Sequence, residues 1–310
     1  MKNNVILRVL YDTSKEKKMT YILYNPFSGN HSAEEEAKVV SALQNDETVV
    51  QDITAIKDYR SFFAQLTEYD TVILCGGDGT LNRFVNDTAN IDIRCNLLYY
   101  PIGTGNDFAH DLGYSAGSTP FPVKDYIDQL PTVSVNEKEY RFINGVGYGI
   151  DGYCCEVGDQ LKAASAKKVN YTAIAIKGLL FHFKPRAATV TVDGTSYRYE
   201  KVWIAPTMKG RFYGGGMMPT PEQNRRDPEE TVSLMVFHDS GKLKTLAIFP
   251  SIFKGKHVKH TKFVAIHTGH HISVSFDKPS PLQIDGETIL NVRKYEVRTA
   301  VYANKNKTAV

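Results

Sequence analysis

Short apolar runs alternate with amphipathic segments over the first 130 residues. The apolar runs TYILYNP (20–26), ETVVQDIT (47–54), DTVILC (70–75) and NLLYYPIG (96–103) each predict a strand. Between them, apolar residues recur at helical spacing, as in SAEEEAKVVSALQ (32–44). Buried strands that alternate with helices are typical of a parallel sheet covered on both faces. The pattern therefore predicts an N-terminal doubly wound α/β domain.

The second half of the chain follows a different pattern. Segments such as TVSVNEKEY (132–140), ATVTVDGTSYRYE (188–200) and KFVAIHTGHHISVSF (262–276) alternate apolar with polar residues. Asp-Gly pairs at 193–194 and 285–286 are typical of tight hairpin turns. We expect an antiparallel β-sandwich over residues 131–291. The first domain would span residues 19–130, with the C-terminal tail 292–310 returning to it.

A glycine-rich turn joins the third predicted strand to the next helix. GGDGT (76–80) lets the backbone approach a ligand, and the helix that follows directs its free N–H groups to the same point. An ordinary β-turn would explain the glycines alone. A turn needs no acid between them, however, whereas a magnesium–phosphate site does, so Asp78 favours phosphate binding.

Two other predicted strands end in loops of small polar residues. NPFSGN (25–30) follows the first strand and PIGTGNDFA (101–109) continues the fourth. Parallel strands place such loops at one edge of the sheet, where open α/β proteins bind ligands. None of the three loops is a Walker A motif or the Gly-x-Gly-x-x-Gly of dinucleotide folds. Together they predict a nucleotide cleft of another kind.

Composition narrows the class of protein. The chain has 310 residues with 37 Lys and Arg against 34 Asp and Glu, a formal charge of +3. Its four cysteines match neither a zinc template nor a disulfide framework, and no signal peptide opens the chain. The longest apolar stretch, 171–183, is too short to span a bilayer. These features predict a cytoplasmic protein.

Six motifs in one order resemble the diacylglycerol kinase catalytic-domain family, in particular its soluble bacterial lipid kinases. They are NPFSGN, GGDGTLN, PIGTGNDFA, FINGVGYGID, YGGGMMPTP and IDGE, between about residue 19 and the C-terminal region. GGDGT alone is less specific, because NAD kinases, sphingosine kinases and 6-phosphofructokinases have versions of it. PIGTGNDFA and the motifs of the second half indicate the lipid kinases.

The resemblance implies ATP- and Mg²⁺-dependent phosphorylation of a lipid hydroxyl, with diacylglycerol as the favoured substrate. The first domain would bind ATP and the second the lipid. Residues expected at the nucleotide are Asn25, Gly29, Gly76, Gly77, Asp78, Gly79, Thr80, Asn82 and Thr104, with Thr54 a weaker candidate. In IDGE, Asp285 and Glu287 are candidates for the general base that accepts the hydroxyl proton. We favour Glu287 as base, with Asp285 near the phosphates, although a hairpin turn explains the spacing equally well.

One segment departs from the pattern of the family. Lipid kinases of this type usually have an Asp-Gly pair after the Gly-Gly-Gly segment, and that aspartate supports a magnesium network. Here the segment reads PTPEQNRRDPEETVSLMVF, in which Asp227, Glu229 and Glu230 are the candidate metal ligands. A solvated acidic loop is the alternative.

Two basic stretches indicate the partner. Between 160 and 188 there is no acid, but Lys162, Lys167, Lys168, Lys177, Lys184 and Arg186 are present; 241–263 has six lysines and no acid. Solvated faces would explain either alone, whereas both together favour peripheral docking on an anionic membrane. No nucleic-acid motif is present, and a homodimer stays open. The alternatives are an NAD kinase-like enzyme and a non-catalytic regulator that binds nucleotide or lipid.

Overall fold

The computed structural model describes residues 18–29, 32–164, 174, 177, 178 and 182–307. Its first sheet has five strands in the order β2-β1-β3-β4-β5. They are β1 (Met19–Tyr24), β2 (Glu47–Asp52), β3 (Thr71–Gly76), β4 (Asn96–Pro101) and β5 (Phe121–Pro122). The first four strands are parallel, as predicted, and the short edge strand β5 is antiparallel to β4.

Helices cover both faces of this sheet. They are α1 (Ala33–Ala42), α2 (Tyr59–Phe63), α3 (Asp78–Asp87), α4 (Asp107–Asp111) and α5 (Lys124–Ile127). Ala37 and Val40 of α1 pack on one face with Ile22 and Ile73, whereas Leu81 of α3 packs with the core on the other face. The predicted doubly wound domain is therefore confirmed.

The remaining strands form one ten-stranded sheet. They are β6 (Thr132–Val135), β7 (Lys138–Arg141), β8 (Gly145–Tyr148), β9 (Arg186–Val192), β10 (Thr195–Val202), β11 (Thr207–Met208), β12 (Val232–Phe237), β13 (Val264–Gly269), β14 (His271–Ile284) and β15 (Glu287–Arg298). The main path runs β13-β12-β11-β8-β14-β15-β6-β7, and β9 joins β14 to β10.

The strand β14 bends this sheet into the predicted sandwich. Its first half pairs with β9 and its second half with β8, and its register with β15 shifts between Ser275 and Ser280. Side chains from both halves, among them Val190, Val274 and Leu282, share one core. A second core packs beneath α6 (Ile150–Ala164) and α7 (Lys242–Ile248) and contains Trp203.

The expected return of the C-terminal tail to the first domain is wrong for residues 292–298. They lie in β15, which pairs with β14 and β6 of the second sheet. The last helix, α8 (Ala300–Lys307), stays on the same side, since Tyr302 stacks on His271 of β14. The apolar residues of β15 require a buried face, and the core of the second sheet, which contains Val292, Tyr295 and Val297, supplies it. The division of the chain near residue 130 stays a prediction.

Candidate active site

The three small-residue loops of the first domain meet at the start of α3. The amide of Asn25 donates to the Thr80 hydroxyl at 2.9 Å, and the Ser28 hydroxyl lies 3.1 Å from it. A Cβ on Gly77 would come within 3.0 Å of the Gly103 Cα, so the second and third loops pack backbone against backbone. The sequence prediction that these loops share one edge of the sheet agrees with this geometry.

The beginning of α3 is open on one side. Apart from its chain neighbours and the backbone of its own helix, no atom lies within 4 Å of where a Cβ on Gly79 would be, whereas a Cβ on Gly76 would meet Thr80 at 2.4 Å. The first N–H groups of a helix have no carbonyl partner within it, and they attract anions. Gly29, with φ of +60°, turns the first loop against Ile102. The arrangement suits a phosphate group above Gly79.

Asp78 is bonded to other parts of the protein, and its expected place at a magnesium–phosphate group stays a prediction. Its carboxylate accepts hydrogen bonds from the backbone N–H groups of Asp107 and Phe108, both at 2.9 Å, and from the Asn144 amide at 3.1 Å. Asp78 thus caps the beginning of α4 and connects it to the second domain. The need for an acid between the glycines comes from α4, because a helix N-terminus favours a negative partner.

The other predicted nucleotide residues differ in position. Thr104 is exposed at the tip of the third loop. Thr54 donates its hydroxyl to Asp52 in a local turn after β2. Asn106, in the left-handed conformation, buries an amide oxygen that has no hydrogen-bond partner beside the glycine loops. Such an acceptor requires a donor, which a bound ligand can provide. The geometry therefore adds Asn106 to the candidate nucleotide residues.

The IDGE segment is a tight hairpin turn that reaches α3 of the first domain. Positive φ at Asp285 (45°) and Gly286 (97°) gives the two-residue turn, with Ile284 paired to Glu287. The Asp285 carboxylate accepts from the Asn82 amide at 2.7 Å and also from three backbone N–H groups of residues 143–145. Asn82 therefore binds the second domain, and its expected contact with the nucleotide stays a prediction.

Asp285 is unsuited to be a free general base. All four of its hydrogen-bond donors are supplied by the protein, between 2.6 and 2.9 Å. Removal from water raises its pKa to about 6, against the effect of the backbone donors. The side chain holds the hairpin against both domains, so its role is one of position.

Glu287 remains accessible. Its side chain is 65% exposed, and the Arg83 guanidinium of α3 lies 3.5 Å from one carboxylate oxygen. This contact joins the two domains, and Arg83 directly follows Asn82 in α3. The hairpin thus presents one fixed carboxylate, Asp285, and one accessible carboxylate, Glu287, on the side of α3.

A buried polar cluster joins the two domains behind the loops. Asn144 donates from its amide to Asp78, donates from its backbone to Asp285, and accepts from Arg225 at 2.8 Å. Arg225 also pairs with Asp111 of α4 at 2.9 Å, and its guanidinium lies 4.7 Å from the centre of the Phe108 ring. The Arg225 guanidinium offsets the negative charges of Asp78, Asp111 and Asp285, which would otherwise repel one another.

The Gly-Gly-Gly segment holds the same helix from the second domain. Gly215 and Gly216, with φ of 81° and 102°, each donate a backbone N–H to the Asp107 carboxylate at 2.7 Å. Burial raises the pKa of Asp107 to about 6, and the charge of Asp78 adds to the rise. The beginning of α4 is therefore held by Asp78 on one side and by this glycine loop on the other.

The acids at 227–230 do not form the expected metal site. Asp227 accepts from the backbone N–H and the hydroxyl of Thr231 and from the backbone N–H of Glu229. Those bonds and the nearby Lys209 lower the pKa of Asp227, and Lys209 interacts electrostatically with Glu230 as well. Because an ammonium group already offsets these acids, a divalent ion gains little there. Across the described ranges, no three His, Cys, Asp or Glu side chains are arranged to hold a metal ion.

Part of the first basic stretch lies outside the described residues. This part contains Lys167, Lys168 and the side chain of Lys162. Lys177 and Lys184 are described, and both are exposed. In the described part of the chain, no helix is both long and apolar enough to cross a membrane.

Four residues of the polar cluster were not singled out from the sequence. Asn144 lay within the motif FINGVGYGID, and Asp107 and Asp111 lay in or near PIGTGNDFA. Only their polarity among apolar neighbours could have signalled burial. Arg225 was hidden in the charged run NRRDPEE, which is typical of a solvated loop.

Comparison with known proteins agrees with this geometry. Residues 19–132 match the family model of the diacylglycerol kinase catalytic domain, and residues 144–298 match the YegS C-terminal NAD kinase beta sandwich-like domain. A diacylglycerol kinase of Bacillus subtilis (strain 168) is 25% identical over 292 residues, covering 87% of this chain and 90% of the relative. A diacylglycerol kinase of Mycobacterium tuberculosis (strain ATCC 25618 / H37Rv) is 25% identical over 250 residues, covering 76% and 79%.

A solved structure shares the fold. The crystal structure of a diacylglycerol kinase from Bacillus anthracis str. Sterne superposes with a TM-score of 0.58 at 18% identity, covering 92% of this chain and 95% of that one. The two family models meet at the polar cluster around Asn144. The chain therefore belongs to the diacylglycerol kinase-like lipid kinases, which join a diacylglycerol kinase catalytic domain to a YegS-type β-sandwich.

Proposed function

We propose that the protein is an ATP- and Mg²⁺-dependent kinase that phosphorylates diacylglycerol to phosphatidic acid. One observation supports it above the others. The open beginning of α3 lies in the same helix that the hairpin carrying Glu287 contacts, through Asn82 at 2.7 Å and Arg83 at 3.5 Å. A phosphate site and an accessible carboxylate on one helix are the two parts that phosphoryl transfer to a hydroxyl requires.

Different residues of the chain have different roles in this reaction. The first N–H groups of α3 hold a phosphate over Gly79, where no side chain intrudes. The unpartnered Asn106 oxygen accepts a hydrogen bond from the nucleotide. Glu287 accepts the proton of the lipid hydroxyl, and Asp285 fixes the position of its turn. ATP supplies the phosphoryl group.

Magnesium is expected to rely on the nucleotide for most of its ligands. Mg²⁺ commonly binds one or two carboxylates together with substrate phosphates and water, so it needs no cage made wholly of protein. The described carboxylates at the domain junction, Asp78 and Asp285, already accept several hydrogen bonds each. These residues fit a metal–nucleotide complex better than a metal ion bound by the protein alone.

Product analysis tests the proposal. The purified chain is incubated with ATP labelled in the γ-phosphate and with diacylglycerol in mixed micelles, with or without magnesium. We expect labelled phosphatidic acid on thin-layer plates, and only when magnesium is present. A parallel reaction with NAD in place of lipid tests the NAD kinase alternative. Labelled NADP would overturn the proposal, and nucleotide binding without transfer to either acceptor would indicate a regulator.

A further inference from the structure

The helix α7 and the 3-10 turn Phe249–Lys254 that continues it carry apolar residues on both the buried and the exposed face. Thr245, Ile248 and Ile252 are buried in the second core. Apolar residues also point outward at spacings of four, three and three: Leu243, Ala247, Pro250 and Phe253 are all exposed. Leu243 is 81% and Phe253 41% accessible. We call these four residues the apolar row.

Lysines flank the apolar row along the chain. The segment from 241 to 263 contains six lysines and no acid, and all six are exposed: Lys242, Lys244, Lys254, Lys256, Lys259 and Lys262. Lys244 and Lys262 lie 18 positions apart in the chain, yet their ammonium groups lie 5.9 and 5.8 Å from the centre of the same Phe263 ring. The fold therefore gathers positive charge around an exposed apolar strip.

The segment that carries this surface is hydrogen-bonded to the chain just after the Gly-Gly-Gly segment. The backbone N–H of Met218 donates to the carbonyl of Ile252 at 3.1 Å, and the His257 ring bonds to the carbonyl of Pro219 at 2.8 Å. Met218 lies two residues after Gly216, which holds Asp107 at the beginning of α4. The segment that carries the apolar row is thus connected through Met218 and Pro219 to the loop that holds α4.

We propose that the apolar row and its six lysines dock the protein on an anionic phospholipid bilayer. Apolar side chains on the outer face of a helix with flanking lysines enter the boundary between headgroups and acyl chains, and the lysines bind anionic headgroups. A second copy of this face would bring six more lysines against the first six, so charge disfavours self-association. This proposal rests on the proposed kinase function in one respect: docking brings a membrane-resident substrate to the cleft.

Vesicle sedimentation tests the docking surface with the full chain. Vesicles contain phosphatidylcholine alone or phosphatidylcholine with phosphatidylglycerol. The apolar variant combines Leu243→Ser with Phe253→Ser, and the charge variant combines Lys254→Gln, Lys256→Gln and Lys259→Gln. We expect the unmodified chain to bind only the anionic vesicles and to release with salt, and each variant to lose on the order of tenfold or more in affinity.

Matched variants elsewhere on the surface control for general effects. Val39→Ser with Leu43→Ser removes two exposed apolar residues, one in α1 and one directly after it, and Lys38→Gln, Lys138→Gln and Lys278→Gln removes three exposed charges. Both controls should bind anionic vesicles like the unmodified chain. Equal loss in a control and its matched variant would overturn the proposal, as would vesicle binding unaffected by the apolar and charge variants. A change from dimer to monomer in the apolar variant, by light scattering, would instead identify an interface between copies.

Activity on a short-chain diacylglycerol dispersed in water separates this inference from the proposed function. The apolar and charge variants should phosphorylate that substrate at the unmodified rate while losing activity on vesicles, because only docking is impaired. If no variant or parent phosphorylates any diacylglycerol, the kinase proposal fails, and the vesicle-binding result alone still decides the docking surface.

Discussion

At the scale of single residues, the IDGE turn separates position from chemistry. Asp285 accepts four hydrogen bonds from the protein, whereas Glu287, two residues later, is 65% exposed and lies 3.5 Å from the Arg83 guanidinium. A general base must be able to approach the substrate proton. The geometry therefore favours Glu287, in agreement with the preference drawn from the sequence.

Two substitutions distinguish these roles. We expect Glu287→Gln to lower kcat by a factor on the order of 10²–10⁴ while the melting temperature and nucleotide binding stay unchanged. Asp285→Asn places an N–H₂ group among four donors, so it should instead lower the free energy of unfolding by about 1–3 kcal/mol. Steady-state kinetics and urea unfolding measure the two effects. Full activity in the Glu287 variant would rule out its role as base.

Asp78 illustrates what a sequence reveals of a site and what it conceals. The motif identified an acid at a glycine turn before a helix, and the turn is where it was predicted. The partners of that acid are the backbone N–H groups of Asp107 and Phe108 and the amide of Asn144, 29 to 66 residues away. Such distant contacts have no periodic signal, so the sequence could not show that this carboxylate also holds the beginning of α4.

The buried carboxyl of Asp107 should make stability depend on pH. Its pKa rises from 3.8 to about 6 on folding, so between these values the folded protein holds a proton that the unfolded chain has released. Raising the pH through this window therefore lowers the free energy of unfolding. Asp107→Asn removes the titrating group.

We expect the free energy of unfolding of the unmodified chain, minus that of Asp107→Asn, to fall by up to roughly 3 kcal/mol from about pH 4 to about pH 7. Urea titrations at several pH values measure it. A difference that stays constant or rises with pH would contradict the assigned direction.

At the scale of elements, the glycines of the second loop have separate tasks. Gly77 packs on Gly103 of the neighbouring loop, whereas a Cβ on Gly79 would face open space. Spacing alone cannot separate the two, because both occur in the same motif. Only the approach of the third loop shows that one glycine is needed by the fold and the other is free for a ligand.

Alanine substitutions test this division. Gly77→Ala should lower the free energy of unfolding by about 1–3 kcal/mol, because its Cβ meets a backbone carbon at 3.0 Å. Gly79→Ala should leave the fold intact or stabilise it by up to about 1 kcal/mol, since alanine favours helices. It should nevertheless abolish the rise in melting temperature caused by Mg·ADP, because its methyl group occupies the phosphate position. An unchanged rise would mean that nucleotide binds elsewhere.

At the scale of the whole molecule, periodicity predicted two domains of the right classes. The helical and alternating patterns are local, and each domain satisfies its own pattern. The tail was misassigned because pairing partners are not local: β15 could have extended either sheet, and only its register with β14 and β6 decides. The polar cluster between the domains escaped prediction for the same reason.

Arg225 should determine whether the two domains unfold together. It lies in the second half of the chain and is buried against Asp111 and Phe108 of α4, in the first domain. Removing one partner of a buried ion pair leaves the other charge uncompensated and typically costs about 3–5 kcal/mol. We expect Arg225→Met to split a single calorimetric transition into two, with Mg·ADP raising only the transition of the α/β domain. Arg198→Met, which removes an exposed arginine paired with Glu200, is the control and should keep one transition. If Arg225→Met also unfolds in one transition at the unmodified temperature, the buried cluster does not couple the domains.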